Sequence, residues 1–303
     1  MDEHGRSVFC KILNRLSGFC GIRVLTYCVM SNHFHLLLEV PPKDEREQIP
    51  DQELLRRYRL LYGEDGTNYM PLSAEAMSAI FDENGALARH WRKCLKERMH
   101  DLPLFMKLLK HRFTKWYNTT HQTFGTFWAE RYTSLLLEPK GELLRKVGCY
   151  IDLNPVRAGI VNDPADYLWS GYGASRMGDE GQCELLARLS AYNDNTVRTP
   201  FATYEQELYW RGAHGINAKD GGRIPAHIAD KIRLKNVAIS RESPLDSEMT
   251  KIIRCGLIYG SQKFVKTYAK TIQMLLGRKK IATRPAESDC ETWYWGKQQR
   301  DPT

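Results

Sequence analysis

Two histidines one residue apart, His33 and His35, sit in the run Ser31-Asn32-His33-Phe34-His35-Leu36-Leu37-Leu38-Glu39-Val40. Alternate residues of a strand point to the same face. A strand here therefore projects both imidazoles to one side and predicts Phe34, Leu36, Leu38 and Val40 on the buried side. Two neighbouring imidazoles can hold a divalent metal ion and leave positions open for a substrate. On spacing alone the pair could also be a polar surface patch, so a second constellation has to decide. It stands at Tyr150 and Asn154, four apart on a predicted helix and hence on one helical face, with Arg145, Lys146 and Arg157 around them. A tyrosine hydroxyl can attack phosphorus once its proton is removed and the phosphate charge is neutralised. With an ordinary pKa near ~10 it is a poor nucleophile unaided. A metal ion on the scissile phosphate, with nearby cations, supplies that help. Taken singly, each residue has a plainer reading: Tyr150 is one of fifteen tyrosines, and Asn154 before Pro155 is a helix stop.

The elements that must position these residues are legible in the hydrophobic periods. Residues 7–19 carry Val8, Ile12, Leu13 and Leu16 at helical intervals, with Gly18 and Gly21 at the end. Residues 22–30 and 33–40 read as two strands of a hairpin, stopped by Pro41 and Pro42. Residues 44–100 form a long, charged, mostly helical stretch, with one amphipathic helix over 54–62 and a less regular one over 75–99; this stretch is expected to be an insertion. Residues 102–117 are the next clear helix, with Pro103 in its first turn. On it Lys107, Lys110, His111, Arg112 and Lys115 interleave with Phe113, Trp116 and Tyr117. Cations among aromatics suit a single nucleic-acid strand, although a solvated basic face gives the same pattern. Residues 119–125 are polar and turn-like, 133–138 an apolar strand, and 142–153 the helix of Tyr150, ended by Asn154-Pro155.

The 303 residues allow one large domain or a catalytic domain with an extension, and 42% hydrophobic residues are enough for a packed core. A net charge of +8 and a pI of about 9.0 make a polyanionic partner plausible. The eight cysteines (Cys10, Cys20, Cys28, Cys94, Cys149, Cys183, Cys255, Cys290) include no C-x-x-C pair, which argues against a zinc knuckle or a disulfide scaffold and for free thiols in a reducing compartment. No signal-peptide pattern is present, and no apolar run approaches the ~20 residues of a membrane helix. A soluble cytoplasmic protein with no membrane partner is expected.

Read together and in order, the motifs carry a family resemblance. The block Tyr27-Cys28-Val29-Met30-Ser31-Asn32-His33-Phe34-His35-Leu36-Leu37 resembles the metal-binding strand of the HUH single-strand endonucleases, most closely the REP-associated tyrosine transposases. Tyr150-Ile151-Asp152-Leu153-Asn154-Pro155-Val156-Arg157-Ala158-Gly159 resembles their nucleophile helix. Blocks at residues 111–118 and 125–132 fit between them, and the similarity runs over roughly residues 7 to 175. The resemblance implies an α+β fold: a four- or five-stranded antiparallel sheet with helices packed on one face, the ferredoxin-like HUH palm. Added to it are the helical insertion at about 44–100 and a basic, mostly helical extension over 181–303, after a transposase domain at 1–180. It implies cleavage and transfer of single-stranded DNA at repeat hairpins through a 5′-phosphotyrosine, with Mg2+ or Mn2+. Tyr150 would be the nucleophile, and His33, His35 and Asn154 the metal ligands. Lys107, Lys110, Arg112, Lys115, Trp116, Arg131, Arg145, Lys146 and Arg157 would face DNA. A monomer or homodimer associated with the nucleoid is expected. Family members begin with a further strand of the type Tyr-His-Val-Thr-x-Arg. This chain begins Met1-Asp2-Glu3-His4, near the start of the first helix, so that strand is expected to be missing.

The missing strand motivates an alternative: a non-enzymatic relic that grips DNA hairpins. A histidine-triad hydrolase needs a third alternating histidine where Leu37 stands, and is set aside. Beyond residue 181 the motifs thin out. Residues 194–200 look like a linker and 246–276 like one or two helices parted at Gly260-Ser261, a helix–turn–helix outline. Arg278, Lys279, Lys280 and Arg284 make the tail basic.

Overall fold

The computed structural model describes residues 1–64, 70, 72–192, 199–214, 222–233, 252–253, 256–276, 281–286 and 293–298. They fall into two compact units. The first comprises Met1–Val24, Val29–Phe34 and Leu38–Arg131; the second comprises Leu25–Cys28, His35–Leu37 and Tyr132–Thr303. This division falls at residue 131 rather than near 180, because the helix of Tyr150 packs against helices beyond residue 180.

In the first unit, α1 (Glu3–Cys20) starts earlier than its apolar period suggests, because Asp2 caps it by accepting the Gly5 N–H at 2.7 Å. Phe9, Leu13, Leu16 and Phe19 recur every three or four residues and are all buried. The helix ends at Gly21 in the left-handed region (φ 67°), where a Cβ would meet the Arg57 guanidinium at 2.4 Å. Two long helices pack on α1: α2 (Asp51–Tyr62) and α5 (Leu102–His121). They bury Leu54, Tyr58 and Leu61 from one and Phe105, Leu109 and Phe113 from the other. The single irregular helix expected over 75–99 is two: α3 (Ala74–Glu83) and α4 (Ala86–Lys96), broken where Asn84 adopts a positive φ of 50° before Gly85. Arg92 on α4 grips Asp51 on α2 through two bonds of 2.8 and 2.7 Å.

The hairpin consists of β1 (Arg23–Val29) and β2 (Phe34–Glu39), closed by the Met30 N–H donating to the His33 carbonyl at 2.8 Å. Its second strand differs from the expectation. Leu37 is its one buried residue, while Phe34, Leu36, Leu38 and Val40 are each only half-buried. The inward point of β2 therefore lies on the His35 side of the pleat, not opposite it.

The second unit is built on α6 (Gly141–Asp152), a one-turn α7 (Asn154–Arg157), α8 (Gly171–Arg176), α9 (Glu180–Ala191), α10 (Pro200–His214), α11 (Ala226–Arg233) and α12 (Gln262–Leu276). A four-stranded sheet joins them, with strands β3 (Leu136–Leu137), β4 (Ile258–Gly260), β5 (Ile281–Ala286) and β6 (Trp293–Gln298) in the order β3-β4-β6-β5. β3 lies parallel to β4, and the other pairings are antiparallel. α12 packs on this sheet, capped by Ser261, whose hydroxyl accepts the Phe264 N–H at 3.3 Å.

The described residues are thus mixed α and β and mostly helical, and the antiparallel hairpin has two strands. The expected third strand, 133–138, does not extend that hairpin. Only Leu136–Leu137 are in strand form, and the N–H groups of Leu136 and Glu138 donate to the carbonyls of Leu257 and Tyr259 at 2.8 and 3.0 Å. Its ladder belongs to β4, so the four- or five-stranded palm is not assembled from the expected strands. The helix–turn–helix outline also gives way: the residues before Ser261 are strand β4, not a helix. Most of the expected linker at 194–200 and the tail cations Arg278, Lys279 and Lys280 lie outside the described residues. Cys10, Cys20, Cys28, Cys94, Cys149 and Cys183 are free thiols, and no described helix is long and apolar enough to cross a membrane.

A buried carboxylate organises the second unit. Asp152, fully enclosed at the end of α6, accepts the Thr26 hydroxyl of β1 at 2.8 Å, the Tyr204 hydroxyl of α10 at 2.5 Å and the Tyr172 N–H of α8 at 3.1 Å. Burial pushes its carboxyl from 3.8 up to about 6, against the pull of these three donors. The folded chain therefore holds this proton where the unfolded chain has released it. Its contribution to stability falls as pH rises from about 4 to about 6, by about 3 kcal/mol. Asp152→Asn removes that ionisation. Urea unfolding of variant and wild type at pH 4 and pH 7.5 is expected to show the difference between them moving by about that amount in the variant's favour.

Candidate functional site

Four of the residues singled out by chemistry meet in the second unit. α6 is enclosed nearly throughout, with Leu143, Leu144, Val147 and Ile151 in the core. Gly148 makes this possible: a Cβ there would press on Leu189 at 3.0 Å and Tyr204 at 3.1 Å. Two residues on, Tyr150 is 5% exposed. Its hydroxyl has no hydrogen bond among the described residues. The Tyr150 ring meets the His35 ring of β2 edge-on, with centroids 6.0 Å apart. Arg157 lies over its face, the guanidinium carbon 3.8 Å from the ring centre.

The sequence explains why Asn154 and Arg157 stand here. Pro155 lacks an N–H and cannot continue α6, so the chain restarts as α7. The last carbonyls of α6 then need donors. Asn154 Nδ2 supplies bonds to Tyr150 O at 3.0 Å and Ile151 O at 3.1 Å, and Arg157 donates to the same Tyr150 carbonyl. A cation at this helix end also complements the macrodipole. The expected helix stop and the expected ligand are compatible in Asn154, since the amide nitrogen caps the helix and the amide oxygen faces away from those bonds. Burial lowers the Arg157 pKa, with the Tyr150 phenol opposing that shift. Cys149, beside Tyr150 in the chain, is fully enclosed, and burial pushes its thiol well up.

His33 lies just before β2, among residues of the first unit. Its Nδ1 is 2.7 Å from Asn32 Oδ1. An amide oxygen only accepts, so that contact places the ring proton on Nδ1 and the lone pair on Nε2. The ring reaches solvent, yet its surroundings desolvate it enough to lower its pKa, which favours the neutral, metal-binding form. No three His, Cys, Asp or Glu side chains converge as a metal site among the described residues. The donor set that the resemblance names, two imidazoles and an amide oxygen, is one that suits manganese or magnesium.

The cations expected on DNA divide into three groups. Lys107, Lys115 and Arg131 are exposed. Lys110 donates to Glu130 O at 2.7 Å and sits 5.5 Å over the Trp128 ring, where burial lowers its pKa. Arg112 lies over the Tyr62 ring at 5.4 Å, and Trp116 is half-buried between His4 and Phe113. The other three are engaged within the second unit. Arg145 bonds Glu207 at 2.6 Å with both side chains largely enclosed, Lys146 is 8% exposed, and Arg157 is committed to Tyr150. A helix was expected here, and α6 has partners on nearly every side, so its cations turn inward.

Asp152 was passed over in the sequence although it carried a signal. An acid inside the apolar run Tyr150-Ile151-Asp152-Leu153 must find donors or stay protonated. In comparison with known proteins, the chain matches no family model, no curated protein and no solved structure.

Arg145→Met leaves Glu207 with only Arg211 beside it, at 2.8 Å. Chemical denaturation is expected to register a loss of about 2–4 kcal/mol.

Proposed function

We propose that this protein cuts and rejoins single-stranded DNA with Tyr150 as nucleophile. The observation that carries the reading is the meeting of Tyr150, His35, Asn154 and Arg157 at the end of α6, with the phenol ring between an imidazole and a guanidinium. In the step, the Tyr150 oxygen forms a bond to phosphorus and the bond from phosphorus to the 3′ oxygen breaks. The phenol proton leaves to solvent and a proton joins the freed 3′ oxygen. One phosphodiester replaces another, so the reverse step needs no outside energy. Arg157, with its guanidinium over the face of the phenol ring, would favour the ionised phenol. The double capping of the Tyr150 carbonyl holds the nucleophile's backbone in place. His35 and Asn154 would hold a divalent cation, with His33 the third ligand that the resemblance implies. When bound, that ion neutralises the attacked phosphate. The DNA hairpin target, the nucleoid setting, the HUH palm and the monomer or homodimer state belong to the same reading, supported by the four motif blocks.

A second reading, hairpin binding without cleavage, is favoured by one observation: at 5% exposure and under Arg157, Tyr150 offers its oxygen little access. One experiment separates the two. Purified protein, manganese and a labelled hairpin oligonucleotide with single-stranded flanks are expected to give a covalent adduct that survives denaturation. Tyr150→Phe should abolish it while leaving stability within about 0.5 kcal/mol, because the hydroxyl has no hydrogen bond to lose. Binding without any adduct in the wild type selects the second reading. An adduct that persists in Tyr150→Phe removes this residue from the chemistry.

A further inference from the structure

The loop that follows α5 carries a side chain that no other observation uses. Phe124 is 98% exposed and makes no ring contact among the described residues. Every aromatic around it is packed. Phe127 meets Tyr117 at 4.6 Å and Phe113 at 5.0 Å, and Trp128 meets Phe34 at 5.3 Å. The polar, turn-like character expected of residues 119–125 does not extend to this exposed ring.

The loop that presents Phe124 is built, not slack. Gln122 ends α5 with a positive φ of 53°, its N–H on the Asn118 carbonyl. Thr123 donates its N–H to the same carbonyl at 3.0 Å and its hydroxyl to Asn118 Oδ1 at 3.1 Å. Asn118 Nδ2 reaches across to Gly125 O at 2.9 Å, so one amide clasps both sides of residue 124. Gly125 has a φ of 92°, which only glycine adopts without strain. Beyond it, the Trp128 indole N–H donates to Lys110 O at 3.1 Å and ties the returning chain to α5. A hydrogen-bonded frame thus holds an apolar ring out in water, where nothing in this unit covers it.

Charge says what kind of partner fits. Lys107, His111 and Lys115 are all exposed on α5, four residues apart and so on one face. They are spaced about 6 Å apart along the helix axis. That basic stripe runs toward the end of α5 from which the loop projects, and Arg131 is exposed just past the loop. Two lysines with an imidazole donor between them, in a row beside a rigid projecting ring, match a nucleic-acid strand, with the phosphates along the stripe and an unpaired base on the ring.

We infer that Phe124 is a stacking platform for an unpaired DNA base, set at the end of a phosphate-binding stripe formed by Lys107, His111 and Lys115. The inference rests on the DNA-binding reading above and deepens it, but it is independent of cleavage.

The test is metal-free binding of the full chain to a hairpin oligonucleotide whose unpaired nucleotides include 2-aminopurine, followed across a salt series. Phe124→Ala is expected to fold as the wild type does, since so exposed a ring contributes no packing. It should bind roughly tenfold or more weakly at every salt concentration, with an unchanged salt slope and loss of the 2-aminopurine quench. Phe124→Trp should restore both, and Phe124→Leu should not, because stacking needs a flat ring. Lys115→Gln should instead reduce the slope by about one and keep the quench. Equal binding by Phe124→Ala and wild type overturns the inference and leaves the covalent chemistry standing or falling on the adduct alone. No binding of the oligonucleotide by the wild type overturns it as well.

Discussion

The second unit depends on satisfying one enclosed carboxylate. Asp152 has no solvent exposure, and a carboxylate in that position is tolerable only if donors reach it or it keeps its proton. Three donors arrive from three elements: a side chain of β1, a backbone amide of α8 and a phenol of α10. That requirement fixes where these elements can lie relative to α6. It also fixes the rotation of α6 about its own axis. With Asp152 turned into the core, Tyr150 two residues earlier points elsewhere, toward His35. A second enclosed group reinforces the arrangement: Glu207 on α10 lies between Arg145 on α6 and Arg211 one turn along its own helix. Partner loss in such a set is costly because it strands a charge in a poor solvent.

The elements near the candidate site were legible where local pattern decides structure. The helix of residues 102–117, the hairpin strands and the helix of Tyr150 follow from apolar period, Pro and Gly positions, and capping residues. Non-local pairing decided the rest. Thr26 and Asp152 are 126 residues apart, and Arg145 and Glu207 are 62 apart. No window of sequence shows that a lysine or arginine on α6 will face an acid from α10 rather than a phosphate. The short strand at Leu136–Leu137 was visible as an apolar run, but its partner lies more than a hundred residues later, and that partner, not the run, sets which sheet it joins. On β2 the alternation was right, yet the assignment of the inner face was not: Leu37, on the His35 side, is the buried residue.

The two units use aromatic residues in contrasting ways. In the first, Phe9, Phe34, Phe113, Phe127 and Trp128 pack edge to face in one cluster, a geometry that favours rigid contacts between rings. In the second, tyrosines serve as hydrogen-bonding bridges. Tyr172 donates to Glu205 at 2.9 Å and Tyr209 to Asp163 at 2.5 Å, and burial drives both phenols well above their ordinary range. These tyrosines cannot ionise at neutral pH without breaking the bonds that hold them. Tyr150 differs from them in having no such acceptor among the described residues.

The placement of Cys149 settles a competition that would otherwise arise beside Tyr150. A thiolate is intrinsically a far better nucleophile than a phenol, and it would sit one residue from any electrophile brought to this helix end. Enclosure keeps the sulfur both protonated and out of reach. Solvation rather than intrinsic reactivity thus governs which of these two adjacent side chains is open to reaction. Thiol-directed reagents and oxidants would pass over this position.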